Sequence, residues 1–215
     1  MRHSNWICAG SRRLPGSVIE DVAIDPCIPS AAIDEGRSDL CECVAVQIRP
    51  RTEDDLEGCV RVAEAVRGID RYPAYLTGSL HDFLASEDAL AAWVAERDGE
   101  IVGHVALHRR SSDAVLALAS ACLGQPSDRL AVVARLFVAP AERGKGFGRS
   151  LLNVATQDAL ARGLWPILDT LAAHAASVRL YENCGWLRAG IVTTKLRDGV
   201  EFEEIVFLGP RPSTT

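Results

Sequence analysis

The run RLFVAPAERGKGFGRSLL, Arg135 to Leu152, holds the residues best suited to binding chemistry. An apolar segment ends at Pro140, then Gly144, Gly146 and Gly148 alternate with larger residues, and a helical pattern starts at once. Phosphate-binding loops use glycines in this way. A Walker loop needs Gly-Lys followed directly by Ser or Thr, whereas Lys145 precedes Gly146. A dinucleotide fingerprint needs G-x-G-x-x-G, and the spacing here is G-x-G-x-G. What remains is R-x-x-G-x-G, met by Arg143, Gly146 and Gly148. It suits a pyrophosphate, because successive backbone N–H groups converge at a helix N-terminus where the dipole adds partial positive charge. Glycines let phosphate oxygens approach the main chain, and Arg143, Lys145 and Arg149 can add charge-assisted contacts. A plain glycine turn opening a helix fits the same letters.

The flanking elements place the loop. LAVVARLFVAP is apolar on both faces, as a central strand is. The helix after the loop carries Leu151, Leu152, Ala155 and Ala159 on one side and stops at Gly163. Upstream, VAVQIRP alternates like a half-buried strand ending at Pro50, and Thr52 caps a helix with Glu53, Asp54 and Asp55 in its first turn. Leu56, Val60, Ala63 and Val66 continue at helical spacing to a stop at Gly68. GSLHDFLAS is a shorter helix candidate. Asp98-Gly99 joins Ala92–Glu96 to Ile101–His108 as an antiparallel hairpin. SDAVLALASACLG reads as a short helix or a covering insert. A strand at Ile167–Leu171, a helix at Ala175–Cys184 stopped by Gly185, and a hairpin turning at Asp198-Gly199 complete the chain.

With 215 residues, 48% hydrophobic and 24% charged, the sequence predicts one globular domain with some surplus. The surplus is placed at residues 1–43, where Pro15, Pro26 and Pro29 interrupt any period, and at the tail 210–215; the domain is placed at 44–209. A net charge of −6 argues against nucleic acid or an anionic membrane as partner and favours a cationic substrate. No apolar run approaches the ~18 residues of a membrane-spanning helix. Trp6 to Gly10 is too short for a secretory signal. Seven scattered cysteines (Cys8, Cys27, Cys41, Cys43, Cys59, Cys122 and Cys184) fit reduced thiols in a cytoplasm, and Cys41-Glu-Cys43 has no nearby histidine to complete a metal site.

Three pieces in order, the DGEIVGHVAL hairpin, the strand and loop LFVAPAERGKGFG, and the helix end LYENCGW, resemble the GNAT superfamily of N-acetyltransferases over residues 44–208. The resemblance implies an α+β fold, with a mixed, mainly antiparallel, twisted sheet and helices on both faces. It also implies acetyl-CoA as cosubstrate, held where the fourth and fifth strands splay apart. Main-chain groups of Leu136, Phe137 and Val138 would pair with the pantetheine arm, and Arg143, Gly144, Lys145, Gly146, Phe147, Gly148 and Arg149 would hold the pyrophosphate. His174 stands where many members carry an asparagine that hydrogen-bonds the pantetheine. Tyr181 would sit near the cofactor sulfur, able to protonate the leaving thiolate. No metal is implied.

The acceptor is expected to be a primary amine of a small molecule or protein, attacking the thioester through a tetrahedral oxyanion that a strand N–H stabilises. Asp169, which interrupts an apolar strand, is the candidate base, with a structural carboxylate as the competing reading and a water chain as the alternative route for the proton. His104 and His108 share one facing on the hairpin and could line the acceptor cleft instead. A CoA-binding module without turnover is the alternative function, and the last hairpin is a candidate dimer edge. Specificity is expected from GIDRYPAYLTGS, the SSDAVLALASACLGQPSD insert and that hairpin.

Overall fold

Near-continuous burial along the central strands and period-3.6 burial along the helices place one sheet between two helical layers. The computed structural model describes residues 46–73, 76, 78–86, 88–195 and 199–211. The segment 1–43 with its four cysteines, Asp198 of the last turn, and residues 212–215 of the tail lie outside the described residues. The strands are β1 (Val46–Pro50), β2 (Ala89–Arg97), β3 (Glu100–His108), β4 (Leu130–Val138), β5 (Trp165–Leu171), β6 (Leu187–Lys195) and β7 (Glu201–Leu208). They lie in the order β1-β2-β3-β4-β5-β7-β6. Every neighbouring pair is antiparallel except β4 with β5. This is the expected mixed, mainly antiparallel α+β sheet, with β4 at its centre.

The helices are α1 (Leu56–Asp70), α2 (Leu80–Leu84), α3 (Asp113–Leu123), α4 (Phe147–Ala161) and α5 (Ala175–Asn183). On one face, Leu151, Leu152, Ala155 and Ala159 of α4 and Val178 of α5 bury Val105, Leu107, Val133, Leu168 and Phe207. On the other, α1 packs Cys59, Ala63 and Val66 with Val94 and Phe137, and α3 packs Val115 and Ala119 with Leu130, Val132, Ile167 and Val206. The SDAVLALASACLG segment is therefore a helix. Ser112 accepts the Val115 N–H at its start, and Gly124 ends it at φ 64°.

Two local outcomes differ from expectation. Glu53–Asp55 is a 3-10 turn ahead of α1, held by the Asp55 carboxylate, which accepts from the Thr52 N–H and hydroxyl at 2.7 and 2.9 Å. The same carboxylate takes both terminal nitrogens of Arg49 at 2.7 Å each, tying β1 to the helix. At its other end α1 runs past Gly68. The stop is Arg71, left-handed at φ 57°, whose N–H closes on the Arg67 carbonyl. A glycine inside a helix weakens it by only about 1 kcal/mol relative to alanine, so flanking propensity carries the helix through.

Between β3 and β4 the register slips by one. His104 pairs with Phe137 and Ala106 with Ala134, so Arg135 and Leu136 both stand opposite Val105. Arg135 takes the extra turn in the left-handed region, at φ 55°. This bulge bends β4 just beyond Val132, its last rung with β5.

Candidate active site

β4 and β5 share rungs only from Leu130–Val132 to Trp165–Ile167. Beyond them β4 stays with β3 as far as Val138, and β5 stays with β7 as far as Leu171. A wedge-shaped gap opens between the strands. The Ala139 N–H donates to the Val102 carbonyl at 2.7 Å, so strand alternation turns the main-chain groups of Leu136 and Val138 toward the gap. Phe137 points its ring to the α1 face, stacked on His104 at 5.3 Å.

The glycine loop lies at the end of β4. A 3-10 turn at Pro140–Glu142 leads to Gly144 at φ 79° and Gly146 at φ 92°, backbone angles that side chains oppose. α4 then starts at Phe147, whose ring is anchored in the core. Among the described residues, no N–H from Gly144 to Arg149 donates to another backbone group outside the loop. A Cβ added at Gly144 or Gly146 would meet nothing within 4 Å, so the loop's outer face is open. The result is a row of free donors at a helix N-terminus, suited to an anion.

Two of the loop's three cations already have partners. Arg143 pairs with Asp70, the last residue of α1. Lys145 meets Glu142 at 3.0 Å, and Glu142 also takes Arg97 Nη1 at 2.7 Å. Arg97, and then Lys145, hold the Glu142 carboxyl below its usual value. Arg149 is exposed in the first turn of α4.

Three of the expected catalytic and contact residues stand on β5, beyond its last rung with β4, and on α5, which follows it. Tyr181, on α5, is buried with its ring 5.5 Å from Phe207 and 6.4 Å from Trp186. Burial pushes its phenol well above the ordinary tyrosine value, and the charges of Tyr72 and Asp169 add to this. Asp169, on β5, accepts from the Ser111 hydroxyl at 3.0 Å. Burial raises its carboxyl, and the Ser111 bond opposes that rise. His174, at the start of α5, lies 6.4 Å ring to ring from Tyr72. A depression of about 530 Å³ opens at the end of β5, between Leu171–Ala173 and Glu201–Glu203. A second, of about 390 Å³, runs along α4 from Arg149 to Trp186.

His104 and His108 do not line a cleft. They share a facing, as expected, but it is packed over, leaving the two residues 0% and 4% exposed. Desolvation drives their pKa values down to about 3 and about 4, so both are neutral at physiological pH. Two residues that the sequence did not single out are present instead. Tyr72, in the loop GIDRYPAYLTGS from which specificity is expected, meets Phe83, Phe137 and His174 and is within electrostatic reach of Asp169 and Arg135. Arg135 interrupts an apolar strand just as Asp169 does, and that signal was available.

The sequence model of the Acetyltransferase (GNAT) family matches residues 49–186. An uncharacterized N-acetyltransferase of Archaeoglobus fulgidus is 31% identical over 121 residues, covering 54% of this chain and 76% of that protein. Among solved structures, the ribosomal-protein-S18-alanine N-acetyltransferase of Escherichia coli superposes with a TM-score of 0.57 at 19% identity, covering 80% of this chain and 97% of that one. The NAA60 protein of Arabidopsis thaliana, solved in complex with acetyl-CoA, gives 0.58 at 18% identity over 77% of this chain and 98% of its own. No helix among the described residues is long and apolar enough to cross a membrane.

Proposed function

Because the chain belongs to the GNAT acetyltransferase family, we propose that it transfers the acetyl group of acetyl-CoA to a primary amine by direct attack. The observation that carries this reading is the continuity of the β4–β5 gap with the glycine loop. The gap leaves main-chain groups of Leu136 and Val138 for an amide-bearing arm, and the loop presents unpartnered N–H groups from Gly144 to Arg149 for a pyrophosphate. His174 stands beside the gap with an imidazole donor for the same arm.

Asp169 accepts the proton that the attacking ammonium must lose. Burial raises its pKa above the ordinary carboxylate value, which narrows the distance to an alkylammonium at roughly 10.4. The amine nitrogen then bonds to the carbonyl carbon, and backbone N–H groups of β4 stabilise the oxyanion. As the C–S bond breaks, Tyr181 gives its phenolic proton to the thiolate, and the phenolate takes the second proton from the former amine nitrogen; the elevated pKa of Tyr181 keeps its proton in place beforehand. The products are an N-acetyl amine and free CoA thiol.

Calorimetric titration of acetyl-CoA into the wild type and Gly146→Val tests the loop. Cβ space is free at Gly146, but its φ of 92° opposes a β-branched side chain. The variant should therefore distort the loop locally, while circular dichroism checks that the rest of the fold is kept. Unchanged affinity in a folded variant removes the loop assignment. Release of CoA thiol with a panel of amines separates an enzyme from a module that only binds CoA.

A further inference from the structure

Behind the gap, on the face covered by α1 and α2, lies a set of nitrogens that the steps above leave unused. Arg135, at the β4 bulge, holds its guanidinium 4.6 Å above the Phe83 ring, and its Nη1 is buried without a hydrogen-bond partner. The Nε2 atoms of His104 and His108 are buried and unpartnered as well. The His104 Nδ1–H donates to the Arg135 carbonyl at 3.0 Å, so in the neutral ring Nε2 is an acceptor with no proton for an anion, and anion binding falls to the guanidiniums. Arg51 adds a second guanidinium, anchored to the Leu84 carbonyl at 2.6 Å and close enough for its charge to act on His104, His108 and Arg135.

Among the described residues, the one carboxylate acting on Arg135 is Asp88, whose side chain is 61% exposed and paired with Arg110. Two guanidiniums thus sit behind the sheet without a buried counter-ion, in a chain whose net charge is −6. A desolvated cation is costly unless an anion joins it. The backbone adds to that cost, since the bulge that aims Arg135 holds it at φ 55°, in the left-handed region. Packing alone would be served by an apolar residue in an extended strand.

We infer that this cationic nest receives an anionic group of the acceptor, so that the acceptor is an amine that also carries a carboxylate, an amino-acid-type small molecule. The inference rests on the acetyl-transfer reading of the gap. Tyr72 stands between the two ends, with Asp169 and Arg135 both near enough for their charges to act on its hydroxyl. The amine lies toward Asp169, and the carboxylate lies on the planar fork of Arg135, which matches it with two parallel N–H donors. A carboxamide offers no charge and turns an NH2 group toward the guanidinium, so it is disfavoured.

The test uses α-, β- and γ-amino acids, each matched with its carboxamide. Thiol release is measured with acetyl-CoA, and calorimetry is run on protein saturated with CoA, which needs no turnover. The acid should be preferred over its amide by roughly ten- to a hundredfold in kcat/KM and in Kd, the worth of a charge-assisted pair. Arg135→Gln should erase that preference through a higher KM for the acid, with the amide little changed. Arg135→Lys, which keeps the charge without the fork, should retain part of it. Equal use of acid and amide, or equal losses for both in a folded Arg135→Gln protein, would overturn the inference. So would an uncharged or polycationic amine as the preferred acceptor. Acid binding to the CoA-saturated protein without any acetylation supports the nest and refutes the acetyl-transfer reading. Failure of every acid to bind at millimolar concentration refutes the nest, whatever the turnover result.

Discussion

Arg143 of the glycine loop is ion-paired with Asp70, the residue that ends α1 and lies two positions before Tyr72. The loop offered to a pyrophosphate and the segment that carries an acceptor-side aromatic are therefore tied by one pair. A phosphate that recruits Arg143 must compete with Asp70 for it.

Asp70→Asn removes that competition. Both side chains are partly exposed, and such pairs are worth about 0.2–1 kcal/mol. Acetyl-CoA should accordingly bind about one and a half to five times more tightly, read by calorimetry at low salt, with the gain shrinking as salt screens the pair. Weaker binding in a folded variant would show that Asp70 orders the loop.

Tyr181→Phe keeps the ring against Phe207 and Trp186 and removes the proton donor. General-acid assistance is worth ~10²–10⁴-fold, so kcat should fall by about that factor. The Michaelis constant for acetyl-CoA should move little, because the hydroxyl acts as charge develops on sulfur. Full turnover in the Phe variant would return Tyr181 to the core.

The Asp169 base must be ionised, and burial raises its pKa above the ordinary carboxylate value. The rate should therefore rise with pH through a limb displaced upward from ordinary carboxylates. Ser111 stabilises the ionised form through its hydrogen bond, so Ser111→Ala should move this limb to still higher pH. Asp169→Asn should abolish it and lower kcat by about 10²–10⁴. An unshifted limb in both variants would assign the proton to water.

Of these site residues, the sequence revealed those whose letters break a pattern. Asp169 stands out inside an apolar strand, and the glycines stand out at a strand-to-helix junction. The sheet was legible for the same reason, since its hairpins and helix stops are local. Gly68 misled because a stop signal is weak against flanking helix formers. His104 and His108 misled because periodicity reports which face a residue takes, not what covers that face. The loop of Tyr72 was expected to set specificity, but the residue itself did not stand out because its role arises from contacts with Phe83, Phe137 and His174, elements far apart along the chain.

The two buried histidines also set an acid limit on stability. Their native pKa values are about 3 and about 4, below the ordinary value near 6.5 of the unfolded chain. They are neutral in both states above pH 6.5. As pH falls from there toward 4 the unfolded chain gains their protons first, so stability falls by about 1.4 kcal/mol per pH unit for each histidine. In His108→Leu the denaturant midpoint should lose less between pH 6.5 and 4.5, by the share of one proton. An identical slope in wild type and variant would place a charged histidine in the native state.

The three rungs between β4 and β5 also bear on how the molecule moves. Mechanically the sheet is a pair of leaves, β1–β4 and β5–β7, riveted at one end near Ala131 and Pro166 and free at the other, with α4 lying across both. Such a joint has one soft motion, a scissoring about the rivet, and every other deformation is stiffened by full ladders. A molecule lodged between the free ends acts as a spacer that damps that one motion. Its binding should register far from its contacts, as slowed hydrogen exchange along the outer ladders of both leaves.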